Sequence, residues 1–132
     1  MESYSATVVD HFENPRNSGE MDEPDGEATR SNPAMRVRMM LRIEGDRIAD
    51  VRWKTKGCPA SIASSSFGSE MVKGWTLDEV EAITKTTIAE GIGGLPASKM
   101  HCSALAADVL RAAVADYRAR HSGERSQPDG VT

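Results

Sequence analysis

The chain has 132 residues, a formal net charge of −4, 39% hydrophobic and 27% charged residues. That size fits one domain with a real core, and the composition is that of a soluble globular protein. No apolar run is long enough to span a bilayer, and the two cysteines, Cys58 and Cys102, are too few for a disulfide scaffold or for four thiolates within one chain.

The first seventeen residues, MESYSATVVDHFENPRN, show no basic leader followed by an apolar stretch, so the expectation is no secretory signal, no membrane partner and a cytoplasmic location. Residues 3–13 read as a short helix, with Ser3 or Ser5 as cap and Val8, Val9 and Phe12 as an apolar patch. Asn14-Pro15 ends it, because proline breaks the hydrogen-bond ladder. Asp10 and His11 have no nucleophile paired with them and read as surface or docking residues. Residues 17–33 are rich in Gly, Pro, Asp, Glu and Asn and read as irregular, with a short edge strand near Glu27–Arg30.

Met35, Val37, Met39, Leu41 and Ile43 alternate with Arg36, Arg38, Met40 and Arg42, the pattern of a half-buried antiparallel strand. Glu44-Gly45-Asp46-Arg47 is turn chemistry, and a second strand follows at about Ile48–Thr55, with Ala49, Val51, Trp53 and Thr55 on one face. The charge is lopsided. Residues 1–33 hold eight acids and two bases, whereas residues 34–56 hold seven bases and three acids. Because those bases alternate with apolar residues, they read as a solvated sheet face rather than a nucleic-acid site.

After the sheet the period becomes helical. Gly57-Cys58-Pro59 opens a helix, with Pro59 in the first turn and Cys58 at the cap; Ile62, Ala63, Ser66, Phe67, Glu70 and Met71 fall on one side. Ser64-Ser65-Ser66 reads as close packing with hydroxyls bonding locally, and Trp53 and Trp75 as packing or partner-contact residues. Thr76 and Glu79 form a capping-box pattern for a helix ending near Lys85. Gly91, Gly93, Gly94 and Pro96 mark a loop that lacks the lysine and hydroxyl residue of a phosphate cradle. Leu105, Ala106, Val109, Leu110, Ala113, Val114 and Tyr117 trace an amphipathic helix from about residue 100 to Arg120, and a polar tail expected to be disordered occupies 122–132. The fold class is α+β, a small antiparallel sheet packed against a helical half, with one domain over 1–121.

Three soft-metal candidates stand at helix starts: Cys58, His101 and Cys102. A helix N-terminus stabilises a thiolate, the form that binds metal or attacks sulfur, and an imidazole adds a ligand. Residues alone stop at a possible two-thiol site; buried cysteine as a small hydrophobe is the competing reading.

The stretches YSATVVDHFENPRNSG, KTKGCPASIASSS and LPASKMHCSALAADVLRAAVADYRAR, in this order, resemble the U-type iron–sulfur cluster scaffold family, that of IscU and the NifU N-terminal domain. The resemblance runs from about Tyr4 to Arg120. It implies a non-enzymatic scaffold on which a 2Fe–2S cluster is assembled, with sulfur from a cysteine desulfurase and delivery to iron–sulfur recipient proteins. It also implies that Cys58 and Cys102 match two ligand cysteines, that His101 matches the histidine beside the latter, and that Lys99 matches the lysine of the Hsp70-type chaperone-recognition stretch. That stretch reads Leu95-Pro96-Ala97-Ser98-Lys99 here, without the family's central Pro-Val. The family's first cysteine and nearby aspartate are replaced by Met35 and Val37, which extend the apolar side of the strand. Two thiols per chain leave four routes: a homodimer sharing one cluster; a degenerate scaffold acting as a binding or regulatory module; a persulfide carrier; or iron or zinc on Cys58, His101, Cys102 and water.

Overall fold

Met35, Val37, Met39 and Leu41 are buried while Arg36 between them is exposed, as the alternation requires. They lie on β2 (Met35–Glu44), the middle strand of a three-stranded antiparallel sheet between β1 (Gly26–Asn32) and β3 (Arg47–Lys56). The computed structural model describes residues 4–126. Strand β1 is longer than expected, seven residues paired from Gly26↔Leu41 to Asn32↔Met35. The Asn32 side chain closes that hairpin by accepting the N–H groups of Ala34 at 2.8 Å and Met35 at 2.9 Å, an Asx turn. Gly45, at φ +65°, turns β2 into β3.

The second strand departs from the expected face. Arg42 pairs with Asp50 but Ile43 pairs with Ile48, so Ala49 is an extra residue in the ladder. This bulge flips the parity: Ile48 enters the core and Ala49 is exposed. The outer sheet face also differs from a plain solvated surface. Residues 19–25 cross it, with Gly19 N–H on the Trp53 carbonyl at 3.0 Å and the Arg42 guanidinium on the Glu23 carbonyl at 2.8 Å. Met40, on the polar side of the pattern, is therefore fully buried.

Helix α1 (Ala6–Glu13) starts at Ser5, whose hydroxyl accepts the Val8 N–H; Ser3 lies outside the described residues. His11 is not a surface residue. It is 4% exposed and its Nδ1 lies 2.7 Å from Ser66 Oγ, tying α1 to α2 (Pro59–Met71). In α2 the buried side is the small one: Ala60, Ser61, Ala63, Ser64, Ser65, Ser66, Gly68 and Ser69. Ile62, Phe67 and Met71 are half-buried and Glu70 is exposed, because α1, β3 and α5 crowd the helix and leave space only for short side chains.

The Thr76–Glu79 capping box forms as expected and starts α3, Leu77–Glu81. That helix stops short of Lys85. The Thr87 hydroxyl takes the Thr84 N–H at 2.9 Å in the link that leads to α4, Thr87–Gly91. A single 3-10 turn, Ala97–Lys99, leads into α5, Met100–Ser126. The last helix buries Ala106, Ala107, Val109, Leu110, Ala113 and Val114 against the sheet. It passes Arg120, so residues 122–126 of the expected tail are helical, and 127–132 lie outside the described residues. A Cβ at Gly26 would meet the Ala113 carbonyl at 2.5 Å, so the glycine lets α5 lie directly on β1.

Candidate functional site

Three chain segments meet at one end of the sheet: the start of β2 at Met35, the Gly57-Cys58 link from β3 into α2, and the 3-10 turn running into α5. Gly57 makes the approach possible. Its φ is +158°, and a Cβ there would collide with Ser61 Oγ and stand 2.9 Å from Met35 Cβ. Cys58 is the extended cap residue of α2, followed by Pro59 at the helix start, as the sequence suggests. Ser61 reinforces the turn, its hydroxyl donating to the Cys58 carbonyl at 2.7 Å.

Cys102 reaches the same point from the first turn of α5. The two sulfurs are 3.7 Å apart, and His101 Nε2 is 3.7 Å from Cys102 Sγ. Two thiolates at ~2.3 Å from a tetrahedral ion stand about 3.8 Å apart, and a thiolate and an imidazole about 3.6 Å apart. Each pair is thus spaced like two ligands of one metal ion. Among the described residues, however, no three His, Cys, Asp or Glu side chains group closely enough to hold an ion by themselves. The site is two thiols with an exposed imidazole alongside.

The two thiols are not equivalent. Cys102 is fully buried, and burial, with the neighbouring Cys58 sulfur, pushes its pKa up to about 12. Burial also acts to raise Cys58, but it is outweighed. The N–H groups of Ser61 and Ala60 at the helix start, the Cys102 thiol and the Lys99 charge together hold Cys58 below the ordinary thiol value. Cys58 is half-buried and is the sulfur that reagents and metals meet first. Lys99 lies close enough for its charge to favour both thiolates. Met35 and Val37 are core residues, 5% and 0% exposed, as the alternation predicts. Met35 stands against the Gly57 turn, next to the residue that precedes Cys58. A cleft of about 270 Å³, lined by Lys85, Thr86, Met100, His101 and Ala104, opens beside the imidazole.

The fold and the sulfur pair define a small α+β domain built to bring two thiols together at one end of a sheet. The chain belongs to the NifU-like N terminal domain family, which it matches over residues 3–124. It is 47% identical over 116 residues to the iron-sulfur cluster assembly scaffold protein IscU 1 of Archaeoglobus fulgidus, covering 86% of this chain and 76% of that one. It is 45% identical over 129 residues to the iron-sulfur cluster assembly scaffold protein IscU of Escherichia coli K12, covering 92% and 99%. Among solved structures, the N-terminal part of a nitrogen-fixing NifU-like protein from Brucella abortus superposes with a TM-score of 0.57 at 25% identity, covering 96% of this chain and 87% of that one. A protein from Fervidobacterium islandicum shares the fold with a TM-score of 0.69 at 20% identity, covering 84% and 96%.

Proposed function

We propose that this chain is an iron–sulfur cluster assembly scaffold whose cargo is held by Cys58 and Cys102, and that two chains together supply four thiolates to one 2Fe–2S cluster. The observation that carries the reading is the sulfur pair, spaced at 3.7 Å as two ligands of one iron, with Met35 in place of a third donor. A two-fold arrangement of such half-sites gives each iron two protein thiolates. His101 borders the site and Lys99 lowers the cost of ionising the thiols. The protein acts as a carrier and not as an enzyme, taking sulfur from a cysteine desulfurase and passing clusters to recipient proteins in the cytoplasm. Lys99, in its exposed 3-10 turn, is the contact for an Hsp70-type chaperone despite Ala97 and Ser98.

Anaerobic reconstitution with iron and sulfide tests this. The expected product is a brown dimer with one cluster per two chains, and Cys58→Ser or Cys102→Ser leaves it colourless. A colourless wild type, under conditions that load an intact scaffold, overturns the reading. Metal analysis covers the alternative of one zinc per chain on Cys58, Cys102, His101 and water, which predicts a colourless monomer with a stoichiometric ion.

A second reading, a scaffold reduced to a persulfide carrier, is favoured by the asymmetry of the thiols. The Cys58 thiolate attacks the outer sulfur of a desulfurase persulfide, forming a new S–S bond as the desulfurase thiolate leaves. Mass spectrometry would then show one added sulfur atom on Cys58 and none on buried Cys102. If desulfurase binding instead survives replacement of both cysteines by serine with no sulfur transfer, the chain is a binding or regulatory module.

A further inference from the structure

The outer face of the sheet carries two adjacent like-charged rungs. In the β2–β3 register Arg38 stands opposite Lys54, and Arg36 opposite Lys56. Like charges directly opposite repel, so each rung calls for an anion. The first rung has one: Glu20, on the crossing segment, places one carboxylate oxygen 3.2 Å from Arg38 Nη1 and the other 3.4 Å from Lys54 Nζ. Glu27 adds a second contact to Arg38 at 2.9 Å. The second rung has none. Neither Arg36 nor Lys56 makes an ion pair among the described residues, and both are exposed.

A cavity of about 400 Å³ lies over these rungs, its wall including Arg36, Lys56, Lys54, Ser18, Glu20 and Trp53. It shares no residue with the sulfur pair. Its volume is that of a small-molecule site. Glu20 shows in this same molecule how a carboxylate bridges such a rung. We propose that the cavity binds a small, multiply charged oxyanion, a polycarboxylate or a polyphosphate, with one anionic group bridging Arg36 and Lys56 as Glu20 bridges Arg38 and Lys54. Ser18 at the rim offers a hydroxyl to the remaining oxygens. The short run of free cations and the carboxylate in the wall disfavour a long nucleic acid, which needs an extended basic track. The proposal stands on these cations alone and does not depend on the thiols holding iron.

Isothermal titration calorimetry of the metal-free full chain at low ionic strength, with citrate and pyrophosphate as separate probes, tests it. One of the two binds with one-to-one stoichiometry, and which one identifies the anionic group as carboxylate or phosphate. Arg36→Gln and Lys56→Gln each weaken that binding by roughly tenfold, and Arg36→Lys keeps most of it. Arg118→Gln on α5, whose cation is held by Asp78 and Glu81, leaves it unchanged. Thermal melts of the variants check that they are folded. The proposal is overturned if neither anion binds by roughly 10 mM, or if the double glutamine variant binds as the wild type does. Tighter binding of a single-stranded oligonucleotide or of a polyglutamate peptide than of both probes also overturns it.

Discussion

Helices α2 and α5 each deliver one cysteine to the same point, yet they are built on opposite rules. Helix α5 is an ordinary amphipathic helix, burying Val109, Leu110 and Val114 on one stripe. Helix α2 is enclosed on most sides and buries serine, alanine and glycine, while its large side chains lie at the periphery. The contrast carries into the thiols. The α2 cysteine sits at a cap, half-buried, with helix N–H groups near its sulfur; the α5 cysteine sits inside the apolar core. One helix is held by apolar area and the other by fit and hydrogen bonds, and their cysteines inherit ionising and non-ionising surroundings.

That contrast can be broken from either side. The largest effect is expected in α5, where Leu110→Ala leaves a cavity and costs about 2–5 kcal/mol in urea unfolding. In α2 the corresponding truncation of an aliphatic side chain, Ile62→Ala, costs roughly 1 kcal/mol, because Ile62 is only half-buried. An equal cost for the two would remove the distinction.

The polar side of α2 comes next. Ser66 Oγ lies 2.7 Å from His11 Nδ1 and accepts the Arg16 N–H at 2.9 Å. If the Ser66 hydroxyl donates to Nδ1, a neutral His11 carries its proton on Nε2, which stands 3.7 Å from the Glu70 carboxylate. Ser66→Ala strands both partners and costs about 1–3 kcal/mol. Burial, and then the Arg16 charge, hold the His11 pKa below its ordinary 6.5, against the opposing pull of Glu70 and Asp10. The sign follows from linkage. Below 6.5 the unfolded chain takes up a proton that the folded chain refuses, so this contribution is full above 6.5 and is lost as the pH falls toward the depressed value. Stability measured against pH therefore drops on the acid side of 6.5, and His11→Gln flattens the slope. A slope unchanged in that variant assigns the drop to other groups.

The smallest effect has the opposite sign. Ser64 Oγ is buried with no hydrogen-bond partner among the described residues, so Ser64→Ala stabilises the fold by about 1 kcal/mol. Loss of stability there would mean that the hydroxyl has work that its surroundings do not display.

Much of the fold was legible in advance because local rules were obeyed. The alternation over 35–43 marks β2, Gly45 marks the turn, Thr76 with Glu79 marks the start of α3, and the apolar spacing from Leu105 marks α5. The departures came where a non-local neighbour decided. The bulge at Ala49 follows from how β3 registers on β2, and Met40 is buried because residues 19–25 lie across it. His11 is buried because α2 offers it Ser66, and α2 buries its small residues where periodicity points to its large ones, because periodicity ranks hydrophobicity and not the space available.

For the site, the sequence by itself determined the ingredients: two cysteines and a histidine at helix starts, a glycine before the first cysteine, and a methionine opening the second strand. Helix caps and strand parity are short-range effects, so they could be read from neighbouring residues. Only the tertiary structure decided that the sulfurs meet at 3.7 Å, that Cys102 is sealed while Cys58 is reachable, and that Lys99 biases both. Among the described residues, it also left the Arg36–Lys56 rung without an anion. Distance and burial depend on how separate segments pack, and the charge of a thiol or a guanidinium has its effect only through what that packing places beside it.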